Sequence, residues 1–270
     1  LALDGCSLSI PRGRVAAVVG SNGAGKSTLL KIVAGITSPT SGAVTVLDGP
    51  AEQDSEAHLA RLGYLDQERP LYRSFRVRDM LTAAARTNDH WNDTVARQYL
   101  ERLGIGLDQR IRDLSGGQQA QVALTLCLAK EPEVLILDEP AAALDPAARQ
   151  DLLQLLMHNV SDSDLTVVLS THALDDVVAV CDYLVVVARG RVVLADDLDF
   201  ILQSHRIVRG SPSEDQWPAG AVAIEVRRTA GDSLALLRLE LPVTNTDLVF
   251  EEPTLDEIIL AYMRANQPGV

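Results

Sequence analysis

The stretch Gly20-Ser-Asn-Gly-Ala-Gly-Lys-Ser-Thr28 sets glycines, a lysine and two kinds of hydroxyl side by side, and from Gly20 to Ser27 it fits G-x-x-x-x-G-K-[ST]. Glycines at 20, 23 and 25 let the backbone curl until successive N–H groups converge on phosphate oxygens. Lys26 then reaches the β- and γ-phosphates of a nucleotide, and the Ser27 hydroxyl is an oxygen ligand for Mg2+. Ser21, Asn22, Gly23, Ala24, Gly25, Lys26, Ser27 and Thr28 are therefore the candidate phosphate-holding residues. The same letters describe a glycine-rich turn with a surface lysine. What selects phosphate binding is the setting, with the apolar run VAAVVG ahead and a helical pattern behind.

A cradle binds but does not cleave: hydrolysis needs a second contact to the metal and a base for the attacking water. The stretch PEVLILDEP (132–140) supplies both. An apolar run ending in Asp138 places one carboxylate where it holds Mg2+ through water, and Glu139 faces a water aimed at the γ-phosphate. Two acidic residues before Pro140 can equally well be plain strand punctuation; their position behind a phosphate cradle selects the catalytic assignment.

A third stretch, LSGGQQAQVALTLCLA from Leu114, opens a helical pattern with Ser115, Gly116 and Gly117, a setting in which backbone N–H groups and the helix dipole hold an anion. No lysine or arginine lies between Leu114 and Ala129. A helix start contributes about 0.3–1 kcal/mol toward a negative charge, too little to capture a nucleotide unaided. The site is expected to act on a phosphate already held elsewhere.

These groups need a scaffold. β-branched runs at 15–20, 134–138, 166–170 and 183–187 alternate with helical patterns from Lys26, after Pro146 and after His172. Such alternation predicts a mostly parallel sheet with helices on its faces and ligands at the carboxyl ends of the strands. Between about Phe75 and Gly104 the pattern is helical without strands, so a helical subdomain is expected there. RGR (189–191) predicts a hairpin, GSPSEDQWPAG after Arg209 has linker composition, and AVAIEV (221–226) and LALLRLEL (234–241) read as strands. PTLDEIILAYM predicts a closing helix with a Thr254–Glu257 capping box and Leu255, Ile258, Ile259 and Tyr262 on one face.

At 270 residues the chain can bury one substantial core and a small appended domain. Apolar residues make up 47% but aromatics only 4%, which suits Ala, Val, Leu and Ile packed around doubly covered parallel strands. The net charge of −13 argues against a nucleic-acid partner, because backbone binding needs clustered cations. Cys6, Cys127 and Cys181 lie far apart without CxxC spacing and read as reduced core thiols of a cytosolic protein. No apolar run approaches the roughly 18 residues of a membrane span, and there is no signal peptide.

Cradle, acidic pair and LSGGQ together make the chain resemble the nucleotide-binding domain of an ATP-binding cassette (ABC) protein from about Leu1 to Leu202; LSGGQ is the most diagnostic element, because other P-loop NTPases lack it. The resemblance implies an α/β P-loop NTPase fold. Its parts are a mostly parallel central sheet, an antiparallel β subdomain, a helical subdomain over about 70–130 within a 1–204 ATPase domain, and a short α+β extension over 205–270. It implies ATP and Mg2+, and two domains packed head to tail, so that Ser115, Gly116, Gly117 and Gln118 of one cover the γ-phosphate on the cradle of the other. In that arrangement the Ser115 hydroxyl donates a hydrogen bond and Gly117 permits close backbone approach.

Three further residues carry over by position. Gln67 in GYLDQ matches the Q-loop glutamine, which touches Mg2+ and the attacking water and hinges the helical subdomain. His172 in LSTHALDD matches the switch histidine that contacts the γ-phosphate and positions Glu139, and Asp145 in AAALDP matches the D-loop aspartate. Read alone, Gln67 is an ordinary loop residue, His172 a neutral histidine capping a helix, and Asp145 an N-cap ahead of Pro146 at N1.

The sequence departs from the family in four ways. Ala142 stands where the D-loop usually has serine, Gln121 replaces an arginine common after the signature, and LALDGCSLSIPRGR holds no aromatic to stack on adenine. Since the first residue is Leu rather than Met, that aromatic is expected in a preceding segment. The extension beyond Leu202 is the fourth, and its ending resembles exporter-type domains of the drug and antibiotic resistance kind.

A domain of this kind serves a separate transmembrane permease subunit. ERPLYRSFRVR, with Arg69, Arg73, Arg76 and Arg78 around Tyr72 and Phe75, is the expected docking patch, set against a merely solvated face. The expectation is an exporter ATPase, paired with a second copy or a homologous ABC subunit, in the cytoplasm at the inner face of the membrane. Importer ATPase and non-transport scaffold share the motifs; a binding module with little hydrolysis is disfavoured by Glu139 and His172.

Overall fold

The structure is a computed structural model that describes residues 2–51, 56–68, 71–142, 144–161, 164–210, 217–229, 232–240 and 248–266. The chain forms two compact units, Ile10–Val18 with Lys26–Cys181, and Leu1–Ser9 with Val19–Gly25 and Asp182–Val270.

The larger unit runs β1 (Val15–Val19), α1 (Lys26–Val33), the short pair β2 (Thr45–Val46) and β3 (Gly49–Pro50), α2 (Glu56–Ala60), β4 (Leu62–Leu65), α3 (Val77–Thr87), α4 (Asp93–Arg102), α5 (Gly116–Leu128), β5 (Val134–Asp138), α6 (Pro146–Ser161), β6 (Thr166–Ser170) and α7 (Leu174–Val180). Strands β4, β5, β6 and β1 lie side by side in that order, all parallel, with Leu65 opposite Leu137, Leu137 opposite Leu169 and Val15 opposite Val167. Every residue of β1, β5 and β6 is buried. Strands covered on both faces need apolar side chains at every position, which is why these segments read as continuous apolar runs rather than alternating ones. β2 and β3 pair antiparallel.

Helices α3, α4 and α5 pack around apolar side chains of their own. Val77, Met80 and Leu81 of α3, Ala96 and Leu100 of α4, and Val122 of α5 close a separate core with Ile105, Ile111 and Leu114. Asn92 caps α4 by accepting from the Val95 N–H (3.1 Å).

The smaller unit continues with β7 (Tyr183–Ala188), β8 (Arg191–Asp197), α8 (Leu198–Ser204), β9 (His205–Arg209), β10 (Val222–Thr229), β11 (Asp232–Arg238), β12 (Phe250–Glu251) and α9 (Leu255–Ala265). The β7–β8 hairpin turns through Arg189 and Gly190, both with positive φ (52° and 75°), the backbone a two-residue hairpin turn requires. The order β10-β11-β9-β12 is antiparallel throughout. β9 has no counterpart in the strands expected from the sequence: HRIVR carries arginines at 206 and 209, and its burial comes from its central place between β11 and β12 and from α9, whose Ala261 packs against Ile207.

α9 begins at the expected capping box, with Thr254 N–H donating to Glu257 Oε2 (2.8 Å), and buries Leu255, Ile258, Ile259 and Tyr262. Beneath it His205 is wholly buried, its Nδ1 2.7 Å from the Ile201 carbonyl and its Nε2 3.1 Å from the Tyr262 hydroxyl. A carbonyl only accepts, so Nδ1 carries the proton; burial holds the ring below its ordinary pKa and hence neutral. Cys6, Cys127 and Cys181 form no disulfide among the described residues, and burial pushes Cys127 up to about 11. Residues 211–216 of the expected linker lie outside the described residues. Among the described residues no helix is long and apolar enough to cross a membrane.

Candidate functional site

Within the larger unit, three separate segments bring their polar ends together. Lys26 opens α1, is only 6% exposed, and holds its Nζ 3.9 Å from Glu139 Oε1. Glu139 follows the last residue of β5. His172, two residues past β6, points Nδ1 at Glu139 Oε2 across 3.3 Å. The parallel register makes this meeting possible: Asp138 sits opposite Ser170, so the residues just beyond them stand at the same carboxyl edge.

Glu139 adopts φ of 46°, a left-handed conformation that costs a non-glycine residue about 1–3 kcal/mol and persists only where its surroundings enforce it. Ser170 is one such restraint. Wholly buried, it donates its hydroxyl to Asp138 Oδ1 (2.6 Å) and accepts from the Glu139 N–H (2.8 Å). The kink ends the strand between two adjacent carboxylates: Asp138 stays buried at 2% exposure, while Glu139 turns toward Lys26 and His172. Sequence reasoning passed over Ser170. Its only signal is a hydroxyl closing the otherwise apolar run TVVLS, opposite the acidic end of VLILD.

The glycine loop feeding α1 belongs to the smaller unit. Ser21, Asn22 and Gly23 are exposed, and the loop is tied by Ala24 N–H to Ser21 O (3.0 Å) and Gly190 N–H to Ala24 O (2.8 Å). Gly25 has φ of 109°, and a Cβ there would meet Ala2 O and Leu3 Cδ2 at 2.7 Å, so no other residue fits. Ser27 and Thr28 follow Lys26 on the half-buried first turn of α1.

Ser27 carries a hydroxyl and Asp138 a carboxylate, both hard oxygen donors of the kind Mg2+ takes. Among the described residues no cluster of three or more His, Cys, Asp or Glu forms a cage. That donor set suits an ion that keeps several waters and takes phosphate oxygens. Gln67 lies exposed beyond β4; with Leu65 opposite Leu137, it emerges at the same edge as Asp138 and Glu139. Next to it Asp66 accepts from Tyr64 and pairs with Lys31 Nζ (3.2 Å). Burial works to raise that carboxyl, but the Glu68 N–H and Lys31 outweigh it and hold it below its ordinary value.

The LSGGQ segment opens a different helix, α5. Ser115 caps α5 reciprocally with Gln118: Gln118 N–H donates to Ser115 Oγ (3.1 Å) and Ser115 N–H to Gln118 Oε1 (3.0 Å). Ser115 and Gly116 are exposed, whereas Gly117 is buried, and a Cβ on Gly117 would meet the Ala148 Cβ at 2.5 Å. The missing side chain of Gly117 lets α5 lie against α6 of the same chain, and Gly116 presents the open backbone.

Asp145 accepts from the N–H groups of Ala147 (3.1 Å) and Ala148 (3.0 Å), the N-cap geometry the sequence allowed. Gln121 is buried, and Ala142 donates its N–H to Glu139 O (3.1 Å). In the expected docking patch Tyr72 and Phe75 are exposed with ring centroids 5.0 Å apart, but Arg76 donates to Asp108 O (2.6 Å) and Arg78 to the Asp108 carboxylate. Two of the patch's cations are thus engaged within the chain; Arg69 lies outside the described residues.

The family model for "ABC transporter" matches residues 3–142. The methionine import ATP-binding protein MetN 2 of Rhodococcus jostii is 38% identical over 202 residues, which is 71% of this chain and 59% of that protein. The lantibiotic transport ATP-binding protein SrtF of Streptococcus pyogenes is 30% identical over 199 residues, 73% of this chain and 85% of that one. Among solved structures, cbiO1 from Clostridium perfringens, part of the ABC transporter complex cbiONQ, is 32% identical with a TM-score of 0.63, covering 73% of this chain and 82% of its own.

Proposed function

The chain belongs to the ABC transporter family, and from that premise we propose that it is the ATP-hydrolysing subunit of a membrane transporter, working as a head-to-tail pair with ATP between the copies. ATPase domains of this family hydrolyse ATP. The observation that carries the residue roles is the convergence of Lys26, Glu139 and His172 within 3.9 Å steps at one sheet edge.

In this reading the loop Ser21–Gly25 and the first turn Lys26–Thr28 hold the nucleotide phosphates, with Lys26 swinging its charge from Glu139 to the γ-phosphate. Ser27, Asp138 and Gln67 would hold Mg2+, which would supply charge neutralisation. Glu139 accepts a proton from the attacking water, and His172 holds both Glu139 and the γ-phosphate in place. Ser115, Gly116, Gly117 and Gln118 of the second copy close over that phosphate, and Asp145 lies at the contact between copies. ATP is then part of the interface, so pairing strengthens with its concentration by mass action.

A permease subunit docks at Tyr72 and Phe75, which places the protein at the inner face of the membrane. The 1–204 segment does the chemistry, and the 205–270 extension, with α9 closing it, supports export as the direction. Import is the second reading, favoured by the 38% identity to a methionine import protein. Glu139→Gln tests the chemistry: turnover is expected to fall roughly 10²–10⁴-fold while ATP stays bound and traps a dimer. Near-normal turnover in that variant removes Glu139 from the role of base.

A further inference from the structure

We infer that Arg149 is a positioning residue for this hydrolysis, acting through Asp176 and Thr171 on the loop that carries His172; the inference rests on the roles given above to Glu139 and His172. His172 is 64% exposed and meets Glu139 across 3.3 Å. A side chain so open to water is placed by its backbone, and the bonds that fix that backbone lead away from the nucleotide site. Ala173 N–H donates to Thr171 Oγ1 (3.0 Å), Thr171 Oγ1 lies 3.5 Å from Asp176 Oδ2, and Asp176 N–H returns to Ala173 O (3.1 Å).

Asp176, on the first turn of α7, is only 4% exposed. A carboxylate that deep needs a counter-charge, and Arg149 provides it, Nε to Oδ1 at 2.6 Å. Arg149 stands on the first turn of α6, its own N–H bonded to Asp145 O (3.0 Å). Asp145, Arg149, Asp176, Thr171 and the Ala173 N–H thus form one run of polar contacts, and His172, held in the chain between Thr171 and Ala173, carries it on to Glu139. Beside it lies a cavity of about 200 Å³ lined by Glu139, Leu144, Arg149, Thr171, His172 and Asp176, so the loop has room to shift. Arg149 Nη2 is buried there without a hydrogen-bond partner, and the guanidinium is held to Asp176 through Nε.

Without Arg149 the Asp176 carboxylate loses its counter-charge, Thr171 loses its anchor, and His172 leaves Glu139. None of these contacts involves Gly20–Thr28 directly, so the larger effect falls on turnover and the smaller on nucleotide capture. In the full chain, Arg149→Met is expected to lower kcat for ATP hydrolysis about tenfold, with KM for ATP within about twofold, since small misplacements of catalytic groups act on the chemical step. In a His172→Ala background the same change should cost nothing further, because both act through one group.

A kcat within twofold of the unaltered chain, a parallel rise in KM, or losses that multiply in the double variant would each overturn the inference. Should Arg149→Met melt at assay temperature, Asp176→Asn, nearly isosteric, is measured against the same criteria. Glu139→Gln run alongside separates the two levels: if turnover survives it, the reading of the site fails, whereas a dead Glu139→Gln with an unaffected Arg149→Met sinks only the role of Arg149.

Discussion

The proposed function sets two helix starts of this chain against phosphate, and they are built differently. α1 opens on Lys26, a cation 6% exposed with a carboxylate 3.9 Å away and a glycine loop leading into it. α5 opens on Ser115 and Gly116, exposed and without a cation, and Ser115 and Gln118 already exchange two hydrogen bonds. Binding an anion from water takes a buried charge to replace its hydration; a self-capped helix start offers only a few partial charges and a small residue that allows approach. The proposed function accordingly gives capture of the nucleotide to the first and completion of a second copy's site to the other, and the proposed head-to-tail pair rests on that contrast.

The largest expected effect that separates them is on capture. Lys26→Ala should weaken ATP binding roughly 10²-fold, as expected for deleting one member of a desolvated charge pair, measured by calorimetry. Equal ATP affinity in that variant would reduce the α1 start to an ordinary turn.

Next come the two glycines of α5. Gly117→Ala places a Cβ 2.5 Å from Ala148 and should lower stability by about 1–3 kcal/mol in urea unfolding. Gly116→Ala, with no atom within 4 Å, should leave stability unchanged or raised by up to about 1 kcal/mol while impairing ATP-dependent pairing. Equal stability losses at the two positions would mean that α5 does not rest on α6 through Gly117.

The smallest effect is at the cap. Ser115→Ala should cost about 1 kcal/mol of stability and slow hydrolysis roughly tenfold, leaving the ATP affinity of a single copy within twofold. A loss of single-copy affinity as large as that of Lys26→Ala would merge the two sites into one.

Much of the scaffold could be read in advance because buried parallel strands announce themselves: VAAVV, VLILD and TVVLS are wholly buried and wholly apolar or nearly so. β9 could not, because HRIVR owes its burial to neighbours on either side rather than to its own letters. The site divides along the same line. The cradle, Asp138 and Glu139 were legible as short contiguous patterns. Ser170 and Arg149 were not, since each is a single polar residue whose partner lies 32 or 27 positions away. The arginines around Tyr72 read as a free cationic patch until Asp108, 30 and 32 positions further on, engaged two of them.

What the letters alone decided is therefore the local structure: a glycine loop entering a helix, a carboxylate pair ending a strand, a capped helix start. Each depends on backbone geometry within one turn or one strand, which spacing dictates. Only the tertiary structure decided that Lys26, Glu139 and His172 meet, that Gly117 belongs to the packing of α5 on α6, and that Asp176 is neutralised from another helix. Distances between residues far apart in sequence follow from strand register and side-chain packing, and those are set by the whole core at once.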